Sequence, residues 1–235
     1  MTFSAIFFDL DDTLHDHLKP FANALHECVP NLPESASDLT LYKEFRRMSD
    51  LLWEEYSSGK LGLEELRAQR IMFALESFGV RLSFIEALQF QEQYEKELSS
   101  LTLFPEVPTL LPRLKAAGFK LGIITNGPVG HQYNKIRTLG LLEYVDEEMI
   151  FISDAVGSAK PDPQIFHYVS EKASLPPEDL LYIGDTWTND IDAPIKAGWQ
   201  AIWFNHRMRK SETSVQPLAE INQLSSVLTI VNTNS

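Results

Sequence analysis

Short apolar runs recur along this chain and are separated by amphipathic or polar stretches. In the first run, residues 3–8, five of six side chains are apolar, and an acidic residue follows directly. A run that is apolar at nearly every position is typical of a strand buried on both faces of a parallel sheet. Four similar runs lie at residues 120–124, 149–152, 180–183 and 200–204. The pattern therefore predicts five buried strands.

Helical periodicity fills the intervals between these strands after residue 101. Apolar side chains at helical spacing predict helices over residues 107–117, 129–140, 163–173, 191–197 and 219–228. Strands that alternate with helices in this way are joined by right-handed crossovers. We therefore expect an α/β fold with a doubly wound, parallel five-stranded sheet.

The block between the first and second predicted strands has a different pattern. Residues 17–100 show helical spacing and no convincing strand, and they predict four helices, with Asp38 as an N-cap. Their aromatic side chains at helical spacing are expected in the core of this block: Trp53, Tyr56, Phe73 and Phe78. We therefore expect an α-helical domain of residues 17–100, inserted into a core domain formed by residues 1–16 and 101–235.

Polar residues of particular types follow four of the five predicted strands. They are Asp9 and Asp11 after the first strand, Thr125, Asn126 and Gly127 after the second, Lys160 after the third, and Asp185 and Asp190 after the fourth. The carboxyl ends of parallel strands meet at one edge of a sheet, where open α/β folds bind their ligands. Carboxylates that converge there repel one another, and Mg²⁺ is the simplest cation for an all-oxygen cluster. A solvated acidic helix cap explains one such aspartate but not three within residues 9–12.

These residue types suit phosphoryl transfer to a carboxylate. Mg²⁺ held by Asp9 and Asp185 would suppress the repulsion between an attacking carboxylate and a phosphate. The Thr125 hydroxyl and backbone N–H groups at the following helix N-terminus can bind phosphate oxygens, and Lys160 adds a fixed positive charge. Asp11 can protonate the leaving alcohol and then activate the hydrolytic water.

The motif DLDDTL at residues 9–14 resembles the DxDGT signature of the haloacid dehalogenase (HAD) superfamily, with Asp12 in the usual glycine position. The resemblance implies that Asp9 is the nucleophile of an aspartyl-phosphate mechanism. It implies that Asp11 is the general acid/base, with its backbone carbonyl on magnesium. Asp185 would then bind the metal, and Asp190 would bind it directly or anchor its waters.

Two further HAD motifs are similar to segments of the core. The Thr125-Asn126-Gly127 segment resembles the phosphate-binding second motif, and Lys160 before Pro161 resembles the third. The resemblance implies a phosphate site formed by residues 125–127 together with Lys160.

The helical insert resembles the cap domain of the first HAD subclass, and residues 52–61 resemble the cap segment of YjjG-type pyrimidine 5′-nucleotidases. This implies hydrolysis of nucleoside 5′-monophosphates. Flavin mononucleotide and small sugar phosphates are alternative substrates on the same core. Haloacid dehalogenation and non-catalytic phosphate binding are the alternatives from other functional classes, and Asp11, Asp185 and Asp190 argue against the dehalogenase.

The composition limits the classes of binding partner and the compartment that we expect for this protein. The net charge of −13 disfavours nucleic acid polymers and anionic membranes. The single cysteine, Cys28, fits a reducing compartment, and Asp9 interrupts the N-terminal apolar run too early for a signal peptide. We expect a cytoplasmic monomer or homodimer that acts on a small phosphomonoester. His15 is expected to have a hinge or solvated role. The basic segment of His206, Arg207, Arg209 and Lys210 is expected to be solvated, with binding of a substrate anion as the alternative.

Overall fold

The computed structural model describes residues 3–33 and 36–233, with the side chains of Asp50, Trp53, Glu54 and Ser57 left out. The chain divides into two compact units. One comprises Met1–Asp16 and Thr102–Ser235, and the other comprises His17–Leu101. No helix in the described ranges is long and apolar enough to cross a lipid bilayer.

The unit His17–Leu101 contains four helices: α1 (Leu18–Cys28), α2 (Asp38–Ser57), α3 (Leu63–Glu76) and α4 (Phe84–Leu98). Ser83 caps α4, because its hydroxyl accepts the Glu86 amide while the Glu86 carboxylate accepts the Ser83 amide. The rings of Phe21, Phe45 and Phe90 lie within 6.0 Å of one another, by their centroids, in the centre of the unit.

One aromatic residue of this unit is not where the sequence placed it. Phe73 is 40% exposed, because α3 turns Ile71, Ala74 and Leu75 toward the interior and leaves Phe73 off that face. Phe78 packs against the core and Tyr56 is half-buried, whereas the prediction for Trp53 lies outside the described side chains.

The other unit is built on a parallel sheet. Its strands are β1 (Ala5–Phe8), β2 (Lys120–Thr125), β3 (Ile150–Ile152), β4 (Leu180–Gly184), β5 (Gln200–Phe204) and β6 (Ala219–Ile221). The order across the sheet is β3-β2-β1-β4-β5-β6, and every pairing is parallel. All four side chains of β1 are buried, as the sequence predicts for a central strand.

The sixth strand corrects the prediction of five. Residues 219–228 were predicted as one helix, but Ala219–Ile221 pairs with β5 at the edge of the sheet and a helix starts only at Ser226. Ile221 is the one buried side chain of this three-residue strand. A segment so short carries no alternation from which a strand can be recognised.

Helices precede or follow the strands of this unit along the chain. They are α5 (Val107–Ala116), α6 (Val129–Thr138), α7 (Ser153–Val156), α8 (Gln164–Ala173), α9 (Ala193–Lys196) and α10 (Ser226–Thr233). Residues Trp187–Asp192, which were expected to lie partly in one helix with 193–197, form a separate π-helical turn directly before α9. This turn follows β4 and carries Asp190, one of the acidic residues discussed below.

Candidate active site

Neighbouring strands bring the predicted residues together. Because β1 lies between β2 and β4, the residues that end or follow these strands share one edge of the sheet. Asp9 continues β1 and donates its backbone N–H to the carbonyl of Ile183 in β4, at 2.9 Å. Thr125 ends β2, and Asp185 follows β4 directly. All three side chains are buried.

Lys160 is the centre of this buried cluster. Its Nζ donates to Oδ1 of Asp9, to Oδ1 of Asp190 and to the hydroxyl of Tyr182, each at 2.7 Å. The Tyr182 hydroxyl in turn donates to the carbonyl of Ile124 at 2.8 Å. Burial lowers the pKa of Lys160, but the carboxylates of Asp190 and Asp9 outweigh burial and hold that pKa well above its usual value. The lysine is therefore a fixed cation.

Burial and neighbouring negative charges disfavour ionisation of the carboxylates around Lys160. Burial raises the pKa of Asp9 to about 7, and the charge of Asp190 adds to the rise while Lys160 opposes it. Burial, followed by the charges of Asp190 and Asp9, also raises the pKa of Asp185 well above its usual value. Groups that are costly to ionise in isolation become favourable ligands when a cation binds them.

The cluster has the donor chemistry of a magnesium site. One carboxylate oxygen from each of Asp9, Asp185 and Asp190 lies within 4.8 Å of the others. Hard divalent cations prefer such oxygen donors, and a cation there would offset the burial and the repulsion that raise the pKa values of Asp9 and Asp185.

Asp190 has a more structural position than Asp185. Its Oδ1 accepts from Lys160, and its Oδ2 accepts the backbone N–H of Thr186 at 2.8 Å. The π-helical turn brings it against Gly184, where an added Cβ would lie 2.5 Å from the Asp190 Cβ. Glycine at 184 thus makes room for Asp190.

The segment after β2 holds the backbone of Lys160 in place through hydrogen bonds. The Asn126 side chain donates to the Lys160 carbonyl at 2.7 Å and accepts the Lys160 amide at 3.0 Å. The Gly127 amide donates to Oγ of Ser153 at 3.0 Å. Thr125 is the third residue of this segment that was predicted to bind phosphate. Its hydroxyl oxygen accepts a hydrogen bond from the side-chain amide of Gln132.

Asp11 is held by His15 and by two side chains that the sequence did not single out, Gln132 and Lys135. Lys135 Nζ lies 2.8 Å from both Asp11 oxygens, and Gln132 Nε2 donates to Oδ2 at 3.3 Å. His15 Nε2 lies 2.8 Å from Oδ1. Of the two roles expected for His15, hinge or solvated, the solvated one is wrong, because the side chain is fully buried. Polar residues three apart on the helix after residues 125–127 were the available signal for Gln132 and Lys135.

The basic segment after β5 is also not simply solvated. Arg207 donates to Oδ1 of Asp12 at 2.6 Å and to Oδ1 of Asp16 at 3.1 Å. Arg209 donates to Oδ2 of Asp185 at 3.0 Å. Asp12, with φ of 63°, occupies the left-handed region, as befits the glycine-like position in its motif. Only Lys210 of the three cations is exposed as expected.

Comparison with known proteins adds family information to this geometry. Residues 3–198 match the sequence model of haloacid dehalogenase-like hydrolases. The chain is 29% identical to the pyrimidine 5′-nucleotidase YjjG of Escherichia coli, over 95% of this chain and 96% of that protein. It is 28% identical to the glyceraldehyde 3-phosphate phosphatase of Methanothermobacter thermautotrophicus, over 95% and 99%.

A solved structure agrees over the whole length. The magnesium-bound HAD hydrolase YfnB of Bacillus subtilis matches with a TM-score of 0.73 and 26% identity, covering 99% of this chain and 100% of that one. The predicted α/β fold class is confirmed by this match, apart from the strand count.

Proposed function

Because this chain belongs to the haloacid dehalogenase-like hydrolase family, we propose that it is a Mg²⁺-dependent phosphatase that hydrolyses a small phosphomonoester through an aspartyl-phosphate on Asp9. The observation that carries the proposal is the position of Asp9. Its carboxylate shares Lys160 with Asp190 and lies beside Asp185, with Asp11 two residues further along the chain.

Asp9 and Asp185 would hold the metal ion, together with the backbone carbonyl of Asp11. Asp190 would act mainly through Lys160 and the Thr186 amide, because both of its oxygens already accept hydrogen bonds. The ion, when bound, supplies positive charge that offsets the negative charge of the substrate phosphate.

In the first step an Asp9 oxygen attacks phosphorus, an acyl phosphate bond forms, and the bond from phosphorus to the alcohol oxygen breaks. Asp11 gives its proton to that leaving oxygen. In the second step Asp11, now a carboxylate, takes a proton from a water that attacks the same phosphorus. The acyl phosphate bond breaks, phosphate leaves, and both aspartates return to their starting states.

Lys160 and Thr125 would support the phosphate during both steps. Lys160 is a buried cation held against the nucleophile, so its charge is in place before the reaction begins. The Thr125 hydroxyl accepts from Gln132, which leaves its own proton for a phosphate oxygen.

For the substrate we propose a pyrimidine nucleoside 5′-monophosphate, and for the location of the protein the cytoplasm. We propose that the helical unit His17–Leu101 is the cap that selects the substrate. The proposal is supported by the similarity of residues 52–61 to YjjG-type nucleotidases and by the overall similarity to YjjG. The similarity to a glyceraldehyde 3-phosphate phosphatase supports a small sugar phosphate as the second candidate.

A substrate panel tests these proposals directly. Phosphate release would be measured from pyrimidine and purine 5′-monophosphates, flavin mononucleotide and glyceraldehyde 3-phosphate, with Mg²⁺ and with chelator. Preference for pyrimidine monophosphates with Mg²⁺ is expected. Phosphate release from the sugar phosphate alone would make a sugar phosphate the substrate in place of the pyrimidine nucleotide. Phosphate release that persists in chelator would overturn the metal dependence.

Two further assays test the nucleophile and the alternative of dehalogenation. An Asp9→Asn variant should release no phosphate, whereas phosphate release equal to wild type would overturn Asp9 as the nucleophile. Halide release from 2-haloacids, without phosphate release from any ester, would overturn the phosphatase itself.

A further inference from the structure

We propose that Lys135, assisted by Gln132, positions the Asp11 carboxylate for proton transfer to and from the reacting oxygens. This inference rests on the proposed phosphatase mechanism, in which Asp11 is the general acid/base. Lys135 is a positioning residue here, because it acts through Asp11 and not on the substrate.

The contact geometry restrains Asp11 strongly. Lys135 Nζ lies 2.8 Å from Oδ1 and 2.8 Å from Oδ2, so it bridges the two oxygens of the carboxylate. Gln132 Nε2 adds a third contact, 3.3 Å from Oδ2, and His15 Nε2 lies 2.8 Å from Oδ1. Contacts to both oxygens restrain the direction of the carboxylate plane, whereas a contact to one oxygen would leave it free to rotate.

The same helix ties Asp11 to the candidate phosphate site. The two N–H groups of Gln132 Nε2 are shared with the Thr125 hydroxyl and, at 2.9 Å, the Asn126 carbonyl. The Asn126 side chain in turn holds the backbone of Lys160. One face of α6 therefore sets the proton-transfer group and the phosphate-binding group in a common frame. Effective acid catalysis requires such alignment.

Lys135 and Asp11 differ in burial, and the difference is consistent with a positioning role for Lys135. The Lys135 side chain is 5% exposed, whereas the Asp11 side chain is 27% exposed. Burying an ammonium group is costly unless a carboxylate faces it. Asp11, by contrast, keeps about a quarter of its side-chain surface exposed to solvent. A buried cation thus contacts an acid that is itself partly exposed.

A positioning role predicts a dependence on the leaving group. Expulsion of p-nitrophenolate needs no proton, because this anion is stable, so kcat/KM for p-nitrophenyl phosphate should be insensitive to the position of Asp11. Expulsion of a nucleoside alkoxide does need the proton. A general loss of folding or of phosphate binding would lower kcat/KM for both substrates equally.

The experiment compares Lys135→Met, Lys135→Arg and the control Arg137→Met, which removes an exposed cation from the same helix. Each variant is assayed with Mg²⁺ on uridine 5′-monophosphate and on p-nitrophenyl phosphate. For Lys135→Met we expect kcat/KM to fall about 30-fold or more with the nucleotide, which is part of the roughly 10²–10⁴-fold that acid catalysis contributes. With p-nitrophenyl phosphate we expect a fall of less than about threefold. Lys135→Arg should recover most of the nucleotide activity, and Arg137→Met should match wild type.

A double-mutant cycle identifies the route of the effect. In an Asp11→Asn background, Lys135→Met should change nucleotide hydrolysis by less than about twofold, because the group through which it acts is already lost. Equal losses on both substrates, no loss on either, or full additivity with Asp11→Asn would each overturn the inference. Absence of phosphate release by the wild-type protein from either ester would overturn the proposed function itself, before any variant is compared.

Discussion

The guanidinium of Arg209 lies 3.0 Å from Oδ2 of Asp185, so an arginine contacts the carboxylate that we propose as a metal ligand. The charge of Arg209 lowers the pKa of Asp185, against the larger effect of burial. A cation that enters this cluster must share Asp185 with Arg209 or displace it, and it meets the positive charge of Arg209 in either case.

Removal of Arg209 should therefore strengthen Mg²⁺ binding. We expect the Mg²⁺ dissociation constant of Arg209→Met to fall about threefold to tenfold, which corresponds to roughly 1 kcal/mol. Isothermal titration calorimetry on the chelator-treated protein measures it. Lys210→Met, which removes an exposed neighbouring cation, should leave the constant unchanged. Weaker binding by Arg209→Met would show instead that Arg209 holds Asp185 in place for the metal.

Removal of Lys160 should destabilise the protein as well as inactivate it. Lys160→Met leaves the buried carboxylates of Asp9 and Asp190 facing each other without a counter-charge. Breaking a buried ion pair on one side costs about 3–5 kcal/mol. Urea unfolding at neutral pH in chelator should show a loss of this size. A loss below about 1 kcal/mol would contradict a buried, charged network.

Ionisation of Asp9 should make the metal-free protein less stable as pH rises. The folded-state pKa of Asp9 is about 7, above the ordinary value of 3.8, so the folded state binds this proton more tightly than the unfolded state. Stability is then fully present below the ordinary value and is lost as pH rises through about 7. Relative to Asp9→Asn, wild type should lose roughly 1–4 kcal/mol between about pH 4 and pH 8.

Thermal or urea unfolding of both proteins in chelator gives this difference. Mg²⁺ should restore the stability of wild type more at the upper end of the pH range than at the lower end, because it favours the ionised carboxylate. A wild-type protein that gains stability over Asp9→Asn with rising pH would contradict the raised pKa.

Substitution of Gly184 should disturb the site through Asp190. A Cβ at position 184 would lie 2.5 Å from the Cβ of Asp190, so Gly184→Ala must displace the π-helical turn. We expect at least about tenfold lower kcat/KM and a loss of roughly 1–3 kcal/mol in stability, as for other overpacked sites. Phosphate release and urea unfolding are the measurements.

Gly130 provides the matched control. It lies in α6, and an added Cβ there meets no atom within 4 Å. Gly130→Ala should leave kcat/KM unchanged and raise stability by about 0.5–1 kcal/mol, because alanine is the better helix former. Equal activity losses in both variants would show that the effect of Gly184→Ala is not local.

The fold and the main site follow from sequence because their signals are local. Strand β1 is a run of apolar residues, and Asp9 and Asp11 follow it within the same few positions. Parallel strands then bring Thr125 and Asp185 to the same edge, since the connections in such a sheet have one hand and the strand ends have one direction. The family motifs lie on these strand ends, so residue order alone predicts their convergence.

The contacts of Asp11 and Asp185 depend on tertiary structure. Lys135 lies 124 positions from Asp11, and only the rotation of α6 about its axis turns it inward while Arg137 stays exposed. Arg209 belongs to an irregular segment whose composition resembles a solvated loop, and its contact with Asp185 arises from the path of the chain between β5 and β6. Sequence therefore determined which strands form and which acids follow them. Packing decided which cations neutralise those acids, because side-chain burial depends on neighbours that no local pattern specifies.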